Sequence, residues 1–528
     1  ASSGVAAMTR PRFRAYPVKG PRTEAGAALL AFLLVLLVGG SYVLLRDAKS
    51  LAQRAKLEEM LKTSEALAEA KAALIGYAAG TNIVPDDTTS NSCGAQCPRP
   101  GDLPCPDRNN DGFADRPCGG VPATRRLGRL PWKTLGVADL RDGSGERLWY
   151  AVSTNFKHFP KTACGLSTAA TCLNSRTRGT ITVRNATGNG FRHNGNDPRD
   201  SLDPTGATAV ILAPGPILRR QGTSASQDRV CSNCTVNERC LGTPPTTVPR
   251  CNPANYLDRR QTPSPSENNA DFTDASSTDA FIEGPVYDSQ GNLIINDRLA
   301  VITYYDIMPL LEKRVVSEVS NCLDAYAAEN LNRYPWTAAL NTSSPPQYGD
   351  GADIRFGRVP DGLPDPGPPD VQWTDPPVSP IEQFTVTRST SGNQMAKSWP
   401  LAECLMVSRE SKNTWWLNWK EEVFYGVSDA FKPAGTAAPG PSDDSACAAP
   451  FACLTLGSSA PPKRFLVIAA GKRLVGQNET FNDNARKGNV ANYLELENTT
   501  FVPNVDETFT SGRVTASFDD VVGYFSKP

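Results

Sequence analysis

Two parts of the chain carry the same short segments in the same order. Glu146 to Lys157 (ERLWYAVSTNFK) aligns without a gap with Glu421 to Lys432 (EEVFYGVSDAFK), and six positions are identical. The other matching pairs are RLGRLP at 126–131 with RFGRVP at 355–360, VILAPG at 210–215 with LVIAAG at 466–471, and ANYLD at 254–258 with ANYLE at 491–495. Segments that keep one order predict two copies of one structural unit.

The repeat includes a helix at the start of each unit. LIGYAA at 74–79 has its counterpart in LDAYAA at 323–328, which closes a helical stretch of about 307–330. Short apolar runs such as LWYAV and FLVIAA, separated by loops rich in Gly, Pro and Asn, are typical of antiparallel strands. With one helix on one face of each sheet, the sequence predicts an α+β fold. We place a first β-rich head at 80–305 and a second head at 306–528.

An apolar segment precedes both heads. Ala27 to Leu45 contains 19 residues without a charge, close to the ~20 residues of a membrane-spanning helix. The basic side chains within residues 1–26 would hold the N-terminus in the cytoplasm. Residues 46–79 favour helix, so we predict one helix over 27–79, half in the membrane and half amphipathic. The apolar stripe of the amphipathic half comprises Leu57, Met60, Leu61, Leu67, Ala68, Leu74 and Ile75.

This arrangement resembles type IV pilins and type II secretion pseudopilins, in which such a helix carries a globular head. The resemblance implies that a prepilin peptidase cuts after Gly26, so that Ala27 becomes the mature N-terminus. Family members usually carry glutamate at the fifth mature position, which here is Ala31. The large tip pseudopilin also lacks that glutamate. The resemblance therefore implies a minor or tip subunit that contacts other pilins or pseudopilins through its helix.

All fourteen cysteines follow the apolar segment. This distribution is typical of disulfides formed in an oxidising compartment. Together with the oxidising compartment, the resemblance implies a periplasmic ectodomain on a bacterial inner-membrane anchor, exposed outside the cell once assembled into a pilus. Cys231, Cys234, Cys240 and Cys251 have a spacing that zinc sites also use, but two disulfides are favoured there. The connectivity of Cys93 and Cys97 with later cysteines stays open. The candidate local or helix-to-sheet pairs are Cys105 with Cys118, Cys164 with Cys172, Cys322 with Cys404, and Cys447 with Cys453.

One loop has the composition of a calcium site. Oxygen ligands at positions 1, 3, 5 and 9 and a glycine at position 6 match the first part of an EF-hand loop. Position 12 is Cys118 rather than glutamate, so the loop is more similar to the shorter calcium loops of secreted proteins. The alternative is an Asx-rich turn without metal. The predicted calcium ligands are Asp107, Asn109, Asp111, the backbone carbonyl of Phe113, and Asp115.

Composition argues against several functions. The net charge is −1, which gives no electrostatic reason to bind nucleic acid. The only histidines are His158 and His193, and no nucleotide-binding or hydrolase motif is present, so we expect no enzymatic activity.

A signal-anchored adhesin or receptor is the alternative function. Trp415, Trp416 and Trp419 would then form a binding platform, unless they belong to the core. A hydrolase with paired carboxylates is the least favoured function. The remaining acids of interest, Asp271, Asp274 and Asp279, are expected to solvate a loop.

Overall fold

The computed structural model of this chain combines two long helices with short strands. Its main helices are α1 (Glu24–Gly80), α2 (Trp132–Leu135), α3 (Tyr304–Glu329) and α4 (Thr414–Trp419). The residues that the structure describes are 24–82, 99–118, 126–157, 173–187, 206–219, 226–227, 229, 252–260, 267–272, 280–338, 340, 355–359, 414–433, 439–448, 452–457, 461–477, 488–503, 506–513, 515 and 517–523.

Two four-stranded antiparallel sheets form the centre of the structure. The first has the strand order β1-β2-β4-β10 and the second has the order β11-β12-β14-β16. The strands of the chain are β1 (Leu127–Arg129), β2 (Trp149–Val152), β3 (Thr182–Arg184), β4 (Ala209–Ala213), β5 (Arg259–Arg260), β6 (Glu267–Asn268), β7 (Ala280–Ile282), β8 (Val286–Tyr287), β9 (Leu293–Ile295), β10 (Arg298–Ile302), β11 (Phe356–Arg358), β12 (Val423–Val427), β13 (Thr455–Leu456), β14 (Phe465–Ala469), β15 (Thr508–Phe509) and β16 (Val521–Gly523).

The predicted fold class was wrong in its membrane-spanning half. None of the helices formed by the described residues combines the length and the apolar character that a membrane crossing needs. Most side chains of the predicted membrane segment, residues 27–45, lie outside the described residues, while Leu33 and Leu34 are exposed. The described residues therefore form an α+β fold with mainly sheets.

Contact density divides the chain once, into Ala1–Leu61 and Lys62–Pro528. In the second of these units, the buried face of α1 differs from the predicted stripe. Leu67 and Leu74 are buried, but Ala68 is exposed and Ile75 is only partly buried. The side chains that α1 buries recur at steps of three and four, as a helix packed on one side requires, and they are Ala66, Leu67, Ala70, Leu74 and Ala78.

The two sheets repeat each other residue by residue. In the first sheet Tyr150 lies opposite Gly128 on one side and Ile211 on the other. In the second sheet Tyr425 lies opposite Gly357 and Val467 in the same way. Each tyrosine hydroxyl donates to a proline carbonyl oxygen, of Pro104 at 3.1 Å and of Pro335 at 3.0 Å. The duplication inferred from sequence is therefore a duplication of strand register and of side-chain contacts.

Both faces of each sheet are buried. One continuous core contains α1 side chains, inward side chains of both sheets, and α3. The opposite face of the first sheet is covered by a core around Trp149 and Tyr256, and that of the second by a core around Phe424 and Tyr493. A sheet covered on both faces needs apolar residues at successive positions, which explains the runs WYAV and FLVIA.

Helix α3 begins at a capping box and joins the two heads. The Thr303 side chain caps the helix while Asp306 accepts a hydrogen bond from the Thr303 backbone N–H at 2.8 Å. Asp306 also forms an ion pair with Lys71 of α1 at 2.9 Å. Arg314 donates to the carbonyl oxygens of Ala79 and Thr81, at 2.6 Å each. These contacts hold α3 against the C-terminal end of α1.

Candidate functional site

The predicted calcium loop forms a compact turn. Asp107 is buried, and its carboxylate accepts hydrogen bonds from the backbone of Asn110 at 2.6 Å and Gly112 at 2.7 Å. Gly112 has a φ of 90°, a conformation that favours glycine. Asp115 accepts from the N–H groups of Arg108 at 2.6 Å and Asn109 at 2.9 Å. The acids therefore organise the loop through its own backbone.

Other contacts fix this loop to the first head. The Asp107 and Arg129 backbones exchange two hydrogen bonds, which extend the edge of β1. A disulfide joins Cys105 to Cys118 at the two sides of the loop. Burial raises the pKa of Asp107 to about 6, and the charges of Asp111 and Asp115 add to this against the backbone hydrogen bonds. A cation or a proton would relieve this cost, so calcium here remains a prediction.

A second acidic site, which the sequence analysis missed, lies at the end of the first sheet. The Asp258 backbone N–H donates to Asp297 at 2.8 Å, and the Asn296 N–H donates to Asp258 at 2.8 Å. Gln227 donates to the other oxygen of Asp258 at 2.8 Å, and Asn269 donates to Asp297 at 2.8 Å. Two buried carboxylates thus tie together three segments of the loop region.

The second head contains the same site. The Glu495 backbone N–H donates to Asp520 at 3.0 Å, and the Asp519 N–H donates to Glu495 at 3.2 Å. Gln477 donates to the other oxygen of Glu495, and Asn498 donates to Asp520 at 2.9 Å. Each hydrogen bond has its counterpart in the first head. Asp258 corresponds to Glu495, Asn269 to Asn498, Gln227 to Gln477, Asn296 to Asp519, and Asp297 to Asp520.

The carboxyl groups of both acid pairs have raised pKa values. Burial raises the pKa of Asp258 to about 6, and burial together with the charge of Asp258 raises the pKa of Asp297 well above its ordinary value. Burial likewise raises the pKa of Glu495, and burial with the charge of Glu495 raises that of Asp520 strongly. Neighbouring buried carboxylates resist carrying two charges, so each pair shares a proton or takes a cation.

The second head adds one carboxylate to this arrangement. Among the described residues, Glu495, Asp519 and Asp520 form the one group of three metal-ligating side chains whose oxygens all lie within 4.8 Å of one another. In the first head the third position is the neutral Asn296. The acids of the 107–115 loop do not converge in this way.

A small pocket lies beside the acid pair of the first head. It has a volume of about 90 Å³ and is lined by Asp258, Gln227 and the side chains of Arg219 and Arg259. Asp258 itself is buried, and both of its oxygens accept hydrogen bonds from protein groups. The pair is therefore built to hold the loops in place, and its carboxylates are not presented to a substrate.

An arginine stacked between aromatic rings lies next to each acid site. The guanidinium of Arg129 is 4.3 Å from the ring centre of Trp149 and 4.1 Å from that of Tyr256. Arg358 is 5.1 Å from Phe424 and 5.0 Å from Tyr493 in the second head. Each tyrosine lies two residues before the first acid of its pair. These contacts explain why an arginine after glycine, in RLGR and RFGR, and the segment ANYL recur in both heads.

The tryptophan platform is not formed. Trp415, Trp416 and Trp419 are each no more than 2% exposed and belong to the continuous core. Asp271 is exposed, as expected of a solvating residue. Asp274 and Asp279 lie outside the described residues.

Two of the expected disulfides are present. Besides Cys105–Cys118, Cys447 pairs with Cys453. Cys322 of α3 is also disulfide-bonded, as expected, while its predicted partner Cys404 lies outside the described residues. The other cysteines outside the described residues are Cys93, Cys97, Cys164, Cys172, Cys231, Cys234, Cys240 and Cys251.

The predicted processing site lies in a helix. Gly26 and Ala27 fall in the first turn of α1, which begins at Glu24. Their cleavage remains a prediction.

The chain matches no protein-family model, no curated protein and no solved structure.

Proposed function

We propose that this protein is a non-enzymatic structural subunit of a type IV pilus or type II secretion filament, in a minor or tip position. The observation that carries the proposal is the duplicated head, in which a helix and an antiparallel sheet are repeated with the same register. The disulfides Cys105–Cys118 and Cys447–Cys453 favour an exported location for both heads.

The two heads are suited to act as one rigid body. Tyr304 of α3 donates to the carbonyl oxygen of Ser175 in the first head at 2.6 Å. Asn174 of the first head donates to the carbonyl oxygen of Asn418 in the second at 2.9 Å. With the continuous core, these buried bonds oppose independent motion of the heads. A subunit that has to transmit force or hold a fixed orientation in a filament benefits from this rigidity.

The acid pairs do not favour a hydrolase. Paired catalytic carboxylates have to face a cleft that admits substrate. Asp258 and Asp297 are buried, and both oxygens of Asp258 and Oδ2 of Asp297 accept backbone and amide hydrogen bonds. The pocket beside them, about 90 Å³, is much smaller than the ~300 to 1,000 Å³ of common ligand sites. The burial of Trp415 and Trp416 likewise removes the feature that favoured an adhesin.

Calcium in the loop 107–115 is part of the proposal. Asp107, Asp111 and Asp115 supply carboxylates, Asn109 an amide oxygen, and Phe113 a backbone carbonyl. The turn at Gly112 and the disulfide Cys105–Cys118 hold the loop in one conformation. Such an ion stabilises a loop and performs no chemistry.

The mature N-terminus tests the filament class. We expect the protein isolated from its bacterial host to begin at Ala27, with or without a methylated amine, when its intact mass is measured. We also expect it in the sheared filament fraction together with other pilins or pseudopilins. Retention of residues 1–26 by the native protein would contradict the proposal.

A matched pair of variants makes the test specific. Gly26→Leu should prevent cleavage, because the resemblance places the peptidase cut directly after this glycine. Gly20→Leu changes another glycine of the same leader and should leave cleavage unchanged. Equal processing of both variants would show that the cleavage does not depend on the Gly26 site.

A further inference from the structure

The two heads differ at one position of their shared acid site. Asp519 of the second head takes the place of Asn296, and both backbone N–H groups donate to the first acid of the pair. Because a carboxylate replaces an amide at this position, the buried acid site of the second head contains three acids instead of two. Glu495 is 8% exposed, Asp519 4% and Asp520 3%. Three carboxyl groups with so little access to water have to take up protons or bind a cation.

The geometry of the group fits a calcium-sized ion. Calcium binds oxygens at about 2.3 to 2.6 Å, so two oxygens that share it lie at most about 5 Å apart. The three oxygens of Glu495, Asp519 and Asp520 lie within 4.8 Å of one another. Carboxylates are hard oxygen ligands, which select calcium, magnesium or manganese over the softer transition metals.

A second observation points to a ligand. One oxygen of Asp520, Oδ2, accepts from the Glu495 backbone and from Asn498. The other oxygen, Oδ1, is buried and has no hydrogen-bond partner in the part of the chain that the structure describes. A buried acceptor without a partner costs about 1 to 3 kcal/mol, and more for a charged group. Coordination of a cation would satisfy this oxygen.

We propose that the second head binds a divalent cation, of which calcium is the best-fitting member, through Glu495, Asp519 and Asp520. In the first head Asp297 Oδ1 is likewise buried without a hydrogen-bond partner among the described residues, but Asn296 contributes no charge, so this head keeps the same loop framework without a metal at its acid pair. The ion would fasten the segment before β16 to the loop after Tyr493, at the far end of the second sheet. This site is separate from the loop 107–115, which belongs to the first head.

Calcium binding by the full-length protein tests the proposal. The protein is freed of metal with a chelator and titrated with calcium, and with magnesium and manganese in parallel, by isothermal titration calorimetry. Asp111→Ala, which disables the loop 107–115, should retain one calcium ion per chain. Asp519→Asn, which copies the first head, should lose one ion relative to the wild type. At a calcium concentration 100 times Kd, the folding equilibrium constant should increase about 100-fold, with a higher Tm.

The Tm of Asp519→Asn, compared with that of the wild type with and without calcium, distinguishes loss of the metal site from misfolding. Without metal, this variant should have a higher Tm than the wild type, because it removes repulsion between buried carboxylates. With calcium, the order of the two Tm values should reverse. If Asp519→Asn does not fold, Glu495→Gln takes its place in the same comparison.

Two results would overturn the proposal. One is an Asp111→Ala protein that binds none of the three metals. The other is an Asp519→Asn protein that binds as many ions as the wild type. Neither result depends on the N-terminal processing that tests the filament class.

Discussion

The stability of the metal-free protein should fall as the pH rises from 5 to 7. Burial raises the pKa values of Asp107 and Asp258 to about 6. An acid with a raised pKa in the folded state stabilises the fold below its unfolded value, near 4, and this contribution is lost as the pH passes 6. Each of these two acids then loses about 1 to 1.5 kcal/mol between pH 5 and 7. The sum is about 2 to 3 kcal/mol.

Acids with lowered pKa values do not cancel this trend. For Asp306, burial raises the pKa, but hydrogen bonds from Lys71 and Thr303 and the charge of Lys71 lower it further, so the net direction is down. Its stabilising contribution is lost only as the pH falls below about 4, outside the window. Asp297 and Asp520, whose pKa values are raised well above the ordinary range, act in the same direction as Asp258.

Thermal unfolding with excess chelator, followed by tryptophan fluorescence between pH 5 and 7, measures the effect. For a cooperative unit of this size, 1 kcal/mol corresponds to roughly 1 °C, so we expect Tm to fall by about 2 to 3 °C or more. Asp297→Asn should flatten this slope. Its amide oxygen still accepts from Asp258 and Asn269, while one titrating group is removed. Asp271→Asn, at an exposed acid of the same head, should keep the wild-type slope.

Two outcomes would refute the reasoning about the buried acids. A wild-type Tm that is constant or increases from pH 5 to 7 would show that the buried acids do not take up protons on folding. An Asp297→Asn slope equal to that of the wild type would show that the uptake occurs elsewhere.

Three further perturbations test the loop, the repeat and the core. Asp111→Ala should reduce bound calcium by one ion per chain in calorimetry, and an unchanged stoichiometry would identify the loop 107–115 as an Asx-rich turn. Tyr150→Phe and Tyr425→Phe each remove one buried hydrogen bond, of 3.1 and 3.0 Å, and should each cost about 1 to 1.5 kcal/mol in urea unfolding. Clearly unequal losses would contradict equivalent roles in the two heads. Trp416→Ala should destabilise the protein by about 3 to 5 kcal/mol, since the side chain is 2% exposed, whereas an unchanged midpoint would contradict a core role.

The repeat made the sheets predictable from sequence. Identical residues such as Tyr150 and Tyr425 occupy identical register positions because both strands are covered on both faces. The helix before the second sheet was predictable from the segment LDAYAA, which repeats LIGYAA of α1. α3 begins at Tyr304, three residues before the predicted start at Ile307.

The acid sites were not recognised, although part of their signal was present. Asp258 and Glu495 close the repeated ANYL segment, and an acid at the same place in both copies was a visible clue. Their partners Asp297 and Asp520 lie in segments, NDRLAVI and DDVVGYF, that share too few residues to align by eye. Only the pairing of β10 with β4 and of β16 with β14 brings them to equivalent positions. Long-range pairing of this kind leaves no local pattern.

The duplication explains why a buried acid pair persists in both heads and how one copy can acquire a metal. In each head the pair is fixed by backbone N–H groups, so the loop framework does not depend on the side chain at position 296 or 519. That side chain sits against a glycine, Gly215 in the first head and Gly471 in the second, which leaves room for either an amide or a carboxylate. A single change between asparagine and aspartate then switches the site between proton sharing and cation binding. The first head would gain a cation site only if Asp also replaced Asn296, and it would lose the bond of 2.7 Å that Asn296 donates to the carbonyl oxygen of Pro216. Of the two acid sites, only that of the second head is therefore expected to bind a metal.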